Sequence, residues 1–381
     1  MKYNAPSKIL LACVWILSGC SSSDAPVAKP VPLPKIENPL SFEFDTKDAG
    51  KKMSLPAGVQ RPLILEKQWV VGDGKGSITA YSLEDQTKLW DRNLKLQPGF
   101  VVGGDDRLII AINLDGKVFA LNAMTGETEW TFNLKGEVLA APAMTSEYII
   151  FQQADGAFSA LTLDGEQRWQ KRFRMPSLSL RGTNTPVVFQ NVIIAGLASG
   201  KLVAMDVDTG EVRWERQIVT AEGSTEIERL VDLDVPLAIR DNIVFAAGTQ
   251  GPVIAFEVIT GRALWERKLA SPAVSLESRG DYVFVADTKG HLWCLNALVG
   301  DIVWRKTEYE NRILHPLKAL GSSLIFADAE GYLHWVDQKT GKPQGSKNWG
   351  DAPYGASTSL NKTSIFFQSR DADVIRISEK D

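Results

Sequence analysis

The chain has 381 residues, of which 44% are hydrophobic and 23% are charged, a composition typical of a soluble globular protein. Its formal net charge of −4 at pH 7 argues against a broad nucleic-acid-binding surface. Cysteine occurs at positions 13, 20 and 294 alone, which excludes a framework of disulfide bonds.

The N-terminus has the pattern of a bacterial lipoprotein signal. Lys2 and Lys8 precede the apolar run "ILLACVWIL" (9–17), which is shorter than the roughly 20 residues of a membrane-spanning helix. The following "LSGC" matches a lipobox that ends at Cys20. We therefore predict that residues 1–19 are a signal peptide and that Cys20 is lipidated; a secretory signal with a chance cysteine is the alternative. Ser21 instead of aspartate favours the outer membrane, with the folded body in the periplasm.

Residues 20–39 are predicted to be a tether. The stretch "SSSDAPVAKPVPLPKIENP" (21–39) carries five prolines and shows neither helical nor strand periodicity. Proline-rich segments of this kind are extended spacers. We expect no catalytic residue in this part of the chain.

The remainder, 40–381, is built from a repeat that closes on tryptophan. "GKVFALNAMTGETEW" (116–130) returns as "GKLVAMDVDTGEVRW" (200–214), and the copies follow one another at intervals of about 40 residues, which is typical of propeller blades. The closing tryptophans are Trp90, Trp130, Trp169, Trp214, Trp265, Trp304 and Trp349. Their register at the end of each outer strand favours a structural role, as wedges between blades, over a binding surface.

An eighth copy is incomplete. "SIFFQSRDADVIRIS" (364–378) aligns with the inner part of the repeat but stops before its outermost strand. The alternating segment "LSFEFD" (40–45) has no blade of its own, and pairing it with the C-terminal strands would leave no open edge in the ring. The sequence therefore predicts an all-β, eight-bladed propeller of four-stranded antiparallel blades, closed by its N-terminal and C-terminal segments.

No catalytic arrangement emerges from the repeat background. The histidines His291, His315 and His334 lie in different repeats without the spacing of a zinc site, and Cys294 lies in an apolar strand, as a core residue would. We predict no catalytic residue, no metal and no cofactor.

Two consecutive connections between repeats are longer than the others. The first (171–185) carries four basic residues and no acid, and the second (220–236) carries five acids and one arginine. Because they follow successive blades, we expect them to lie side by side on one face. Leucines among fixed charges favour a partner-binding patch. The alternative is that the two connections only form salt bridges with each other.

Tryptophan-docked blades resemble the quinoprotein alcohol dehydrogenase superfamily, which uses a quinone and calcium, but the adjacent-cysteine disulfide common there is missing. The lipobox, the tether and the eight-copy propeller together resemble the BamB family, lipoproteins of the outer-membrane β-barrel assembly machinery. "SLSLRG" (177–182) and "GSTEIERLVDLD" (223–234) are similar to the two BamB segments implicated in binding BamA. The resemblance implies that Leu178, Leu180, Arg181, Asp232 and Asp234 contact BamA.

By the same resemblance, the chain would be a non-enzymatic scaffold that docks on the POTRA domains of BamA within the Bam complex. It would assist the folding and insertion of outer-membrane β-barrel proteins, whose unfolded chains are further candidate partners. The alternatives are a quinoprotein-like periplasmic dehydrogenase and a propeller lipoprotein with another partner.

Overall fold

The structure is a computed structural model, and it consists of β-strands arranged as a ring of blades. It describes residues 28–37, 39–48, 61–72, 76–95, 101–113, 115–176, 184–219, 233, 235–248, 251–350, 353–358, 363–369 and 373–379. These residues form eight four-stranded antiparallel sheets and no helix. The predicted eight-bladed all-β propeller is confirmed.

The strands of the first four blades, four to each blade from inside to outside, are β2 (Leu63–Ile64), β3 (Gln68–Gly72), β4 (Ser77–Ser82), β5 (Lys88–Asn93), β6 (Val101–Gly104), β7 (Leu108–Ile112), β8 (Lys117–Asn122), β9 (Thr128–Asn133), β10 (Ala143–Met144), β11 (Tyr148–Gln152), β12 (Ala157–Thr162), β13 (Gln167–Arg172), β14 (Val187–Phe189), β15 (Val192–Gly196), β16 (Lys201–Asp206) and β17 (Val212–Gln217).

Blades five to eight follow in the same way, and the outermost strand of blade eight is β1. Their strands are β18 (Ala238–Arg240), β19 (Ile243–Ala247), β20 (Val253–Glu257), β21 (Ala263–Arg267), β22 (Ala273–Arg279), β23 (Tyr282–Asp287), β24 (Leu292–Asn296), β25 (Ile302–Lys306), β26 (Leu314–Leu320), β27 (Ser323–Asp328), β28 (Tyr332–Asp337), β29 (Pro343–Asn348), β30 (Pro353–Thr358), β31 (Ser364–Ser369), β32 (Asp373–Glu379) and β1 (Phe42–Asp48).

Burial within a blade follows from its position between two neighbours. The second strand of blade two, β7 ("LIIAI"), is buried at every residue, because adjacent blades cover both faces of its sheet. The outer strand β9 ("TEWTFN") instead alternates between exposed and half-buried side chains. Continuous apolar runs therefore form the middle of each blade, and alternating ones form its rim.

The ring closes through the N-terminal segment, as the sequence predicted. Strand β1 pairs antiparallel with β32, from Phe42 opposite Glu379 to Asp48 opposite Asp373. The innermost strands of blades one and eight, β2 and β30, also contact each other. Pairing the two ends of the chain removes the open edge that β32 of blade eight would otherwise present.

Strand direction gives the ring two distinct faces. Each blade begins at its inner strand on the face where the connections between blades lie, and the hairpin between its second and third strands returns to that face. We call this the upper face. The hairpins that join the outer two strands lie on the opposite, lower face.

No helix long and apolar enough to cross a membrane occurs in the described ranges.

Candidate functional site

Six tryptophans hold successive blades together by one repeated contact. Each donates its indole Nε1–H to a backbone carbonyl of the next blade, at N–O distances of 2.7 to 3.1 Å. The pairs are Trp90–Ala123, Trp130–Leu163, Trp169–Val207, Trp214–Val258, Trp265–Ala297 and Trp304–Gln338. These tryptophan rings therefore have a structural role, in which each one joins two neighbouring blades.

In blades two to seven, the glycine of the turn between the outer two strands is required by the tryptophan ring that lies against it. Gly126 has φ +71°, and a Cβ there would lie 2.5 Å from Cε3 of Trp90. Gly210 has φ +70° and stands in the same relation to Trp169. A side chain at these positions would both strain the backbone and collide with the ring. The repeated Thr-Gly turn is therefore the surface against which the tryptophan ring of the preceding blade packs.

Trp349 is the exception, and its place corrects the sequence interpretation. In blade seven, Gly345 occupies the outer-strand position that tryptophan holds in the other blades. The residue paired with it on the neighbouring strand is Trp335, which supplies the ring instead. Trp335 is 4% exposed and donates its Nε1–H to the Leu40 carbonyl at 2.9 Å. Trp349 follows β29 and is partly buried against the same core. Aligning the repeat by its last tryptophan missed this exchange.

The two long connections meet on the upper face. Asn184, at the end of the first, is 7% exposed and donates its side-chain amide to the carbonyls of Leu233 and Val235 in the second; the bond to Val235 is 2.7 Å long. Leu233 is 2% exposed and packs over Gly196 of blade four. These contacts fix the two connections to each other and to the blade beneath.

The residues expected to contact a partner lie outside the described residues. This holds for Leu178, Leu180, Arg181, Asp232 and Asp234, and also for Cys20. The structure describes their anchors instead, Asn184 and Leu233, which the sequence analysis did not identify. An asparagine within a polar "GTNTP" gives no sign of burial, because its partners are 49 and 51 residues away.

A concave surface lies beside the first connection. Phe173, Met175 and Pro176 line a cavity of about 430 Å³ together with residues of blade four. Its far wall carries the ion pair between Lys201 and Glu215, with an N–O distance of 3.0 Å. Apolar walls with a polar rim are typical of a docking surface.

A smaller cavity, of about 160 Å³, lies on the same face, where the inner strands of blades one to five begin. Arg61, Leu139, Asn184 and Thr185 are among its lining residues. Arg61 donates from Nη2 to the Thr185 hydroxyl at 3.3 Å. The described residues of this lining include no carboxylate, the side chain that commonly binds calcium. The cavity is also smaller than the roughly 300 Å³ at which ligand pockets usually begin. These residues do not fit the quinone and calcium of the dehydrogenase alternative.

The buried titratable groups have structural partners. Burial raises the pKa of Cys294, which is fully buried, to about 12, so its thiol stays protonated and unreactive. Burial also acts to raise the pKa of Asp328, but hydrogen bonds from His334, the Tyr332 amide and Arg312 outweigh it and lower that pKa. Within the described ranges, no group of three histidine, cysteine, aspartate or glutamate side chains could hold a metal.

The expected tether contacts the propeller before the ring begins. The Lys29 carbonyl accepts a 3.1 Å hydrogen bond from the Asn311 side chain, and the Val31 carbonyl accepts one of the same length from Arg312. The Val31 amide donates to the Glu310 carbonyl, and Leu33 packs against the blade core. Arg312 is itself paired with Asp328, at 2.8 Å. A proline-rich sequence gave no indication of this docking.

Comparison with known proteins places the chain in a family. A family model described as "Outer membrane protein assembly factor BamB" matches residues 74–306. A protein of that name from Yersinia pestis is 26% identical over 347 residues, covering 87% of this chain and 88% of its own. One from Vibrio cholerae is 39% identical over 210 residues, covering 55% and 54%.

A solved structure shows the same fold. The crystal structure of BamB from Moraxella catarrhalis superposes with a TM-score of 0.79 at 23% identity, covering 89% of this chain and 100% of that one. The family model matches more than half of the sequence, and the chain therefore belongs to the family of outer membrane protein assembly factor BamB.

Proposed function

We propose that this chain is a non-enzymatic scaffold of the Bam complex that binds BamA and assists the folding and insertion of outer-membrane β-barrel proteins. The observation that carries the proposal is the junction of the two long connections. A buried asparagine holds their ends together above blade four, next to a cavity with apolar walls. The anchor holds the two insertions in a fixed position relative to each other, as a docking surface requires.

The proposed contact residues belong to these two connections. Leu178 and Leu180 would provide apolar anchors for the POTRA domains of BamA, while Arg181, Asp232 and Asp234 would set the orientation. Opposite charges on neighbouring segments orient a partner, and a few central apolar side chains supply most of the affinity. Asp232 and Asp234 flank the buried Leu233 in sequence, so the second connection offers its charges next to its anchor.

We also propose that the propeller is held at the membrane by a lipid on Cys20. Residues 1–19 would be removed as a signal peptide, 20–39 would be the tether, and 40–381 would face the periplasm from the outer membrane. In the described part of the tether, contacts with Asn311 and Arg312 begin at Lys29. Eight residues lie between Cys20 and Lys29, so the distance between the two is about 30 Å at full extension. The lipid would therefore keep the upper face near the bilayer. Cys20→Ala should release the protein from membranes, and continued acylation of this variant would contradict the assignment.

The test of the scaffold role is co-purification of BamA from solubilised outer membranes. We expect Arg181→Ala, and Leu178→Ala combined with Leu180→Ala, to lower BamA recovery at least about tenfold with an unchanged thermal melt. Lys268→Ala is the matched control, since Lys268 is an exposed basic residue of an ordinary-length connection on the same face. Normal recovery with the first two variants, or a loss that only follows unfolding, would contradict the proposal.

A further inference from the structure

The joint between blades eight and one differs from the six tryptophan joints at three positions: the tryptophan, the residue paired with it on the neighbouring strand, and the turn glycine of the next blade. In the joint between blades one and two, Trp90 pairs with Ala80 across the outer strands, and its ring rests on Gly126 of the next blade. At the closing joint, register places Asp45 opposite Arg376 where tryptophan and alanine would stand.

The turn between the outer two strands of blade one also differs from those of the other joints, because it has no glycine. Gln86 occupies the position of the turn glycine, since its amide bonds to the Ser82 carbonyl as that of Gly126 bonds to Asn122. Its φ is +58°, so the left-handed turn is kept with a residue that has a side chain. A side chain is tolerated here because no tryptophan of blade eight presses on the turn.

Arg376 replaces the hydrogen bond of the missing indole but not its volume. Its Nη1 donates to the Leu83 carbonyl at 3.0 Å, where Trp90 donates to Ala123 at 3.1 Å in the next joint. A cavity of about 540 Å³ remains between the two blades on the lower face. We call it the closure seat; its lining residues include Leu83, Leu89 and Arg376 and also the charged residues Glu66, Lys67 and Glu84.

The closure seat has the chemistry to hold an aromatic ring. Leu83 is partly buried in the core of this joint, and Leu89 at the rim is 51% exposed. The Arg376 guanidinium lies 6.0 Å from the Phe366 ring centroid, at the outer limit of a cation–π contact. A guanidinium beside two leucines favours a π-system over an aliphatic side chain. The six filled joints show that the same architecture takes an indole carried on an extended strand.

We propose that the closure seat binds an aromatic side chain on an extended segment of an unfolded outer-membrane β-barrel protein. Strands of such barrels carry girdles of aromatic residues at both membrane interfaces. The identity of the segment rests on the proposed function, which brings these chains to the protein. The seat lies on the lower face and the proposed BamA contacts on the upper face, so the two activities are separable by mutation.

The first test uses a fluorescein-labelled nine-residue peptide of alternating threonine and serine with one central tryptophan. Its anisotropy is titrated with the full chain, and the same peptide with central alanine is the comparison. We expect the tryptophan peptide to bind at least about tenfold more tightly. A β-barrel protein diluted from urea should displace it. Equal binding of the two peptides would overturn the aromatic seat, and failure of the barrel protein to compete would overturn the identity of the segment.

Matched variants locate the binding. Leu89→Glu, which copies Glu129 of blade two, should weaken binding of the tryptophan peptide, while Val303→Glu should not. Val303 holds the same rim position in blade six, where Trp265 fills the joint, and is 45% exposed. Equal losses with both variants would contradict the site. Normal BamA recovery with Leu89→Glu separates a failure of this inference from a failure of the proposed function.

A gain-of-structure variant completes the test. Asp45→Trp with Gln86→Gly and Arg376→Ala rebuilds the arrangement of the other joints, and we expect it to abolish peptide binding and raise the melting temperature. Peptide binding that survives in the folded triple variant would contradict the inference. Should this variant not fold, the comparison of Leu89→Glu with Val303→Glu decides the question.

Discussion

Replacing Trp335 should cost far more stability than replacing Trp349, although the sequence repeat points to Trp349. The Trp335 ring is almost completely buried and packs against Phe42 and Phe44, at centroid distances of 5.6 and 5.9 Å. Its Nε1–H also satisfies the Leu40 carbonyl. Truncation of a buried tryptophan costs about 3–5 kcal/mol, and with its aromatic contacts Trp335→Ala is expected to cost about 4 kcal/mol.

Trp349→Ala removes a ring that is only partly buried, so about 1 kcal/mol is expected. The assay is urea unfolding followed by circular dichroism, in which each variant should shift the midpoint with an unchanged slope. Trp335→Ala should also expose β1 to protease, because Trp335 binds the residues that lead into it. Equal destabilisation by the two variants, or a larger effect at Trp349, would refute the exchange of roles in blade seven.

Three further predictions concern the core and the closure. Cys294 should not react with iodoacetamide at pH 8 until the protein unfolds, because its raised pKa keeps the thiol protonated; labelling of the native protein, detected by mass spectrometry, would contradict this. Asp328→Asn should lower the melting temperature at pH 7 and lose that effect progressively as the pH falls below about 4, because the stability added by a lowered folded-state pKa is complete above the unfolded value and is lost as the pH falls through the folded value; a pH-independent difference would argue against it. Deleting residues 40–45 should cost a few kcal/mol and cause aggregation, since it exposes the edge of β32; unchanged melting and solubility would show that β1 does not close the ring.

Much of the fold could be predicted because each blade repeats the same physical solution. Apolar runs such as "LIIAI", tight turns and a tryptophan at the outer strand recur in register, so the number of blades followed from counting copies. Closure by residues 40–45 followed from one missing strand, and the structure extends that strand to Asp48.

The irregular joints could not be predicted, because their contacts are made between strands that are distant in sequence. Trp335 sits in an apolar strand, where a core role and a docking role look alike, and only its partner Leu40, 295 residues away, distinguishes them. Arg376 and Gln86 likewise acquire meaning only when blade eight meets blade one. The buried bonds of Asn184 depend on two connections meeting on the upper face.

The central claim is that the two long connections bind BamA, and direct titration of the purified POTRA domains into the full chain tests it most directly. We predict saturable one-to-one binding by calorimetry, a loss of at least about tenfold in affinity with Arg181→Glu, and no change with Lys268→Glu. Absence of binding by the wild-type chain, or equal affinity of the wild-type and Arg181→Glu proteins, would contradict the account.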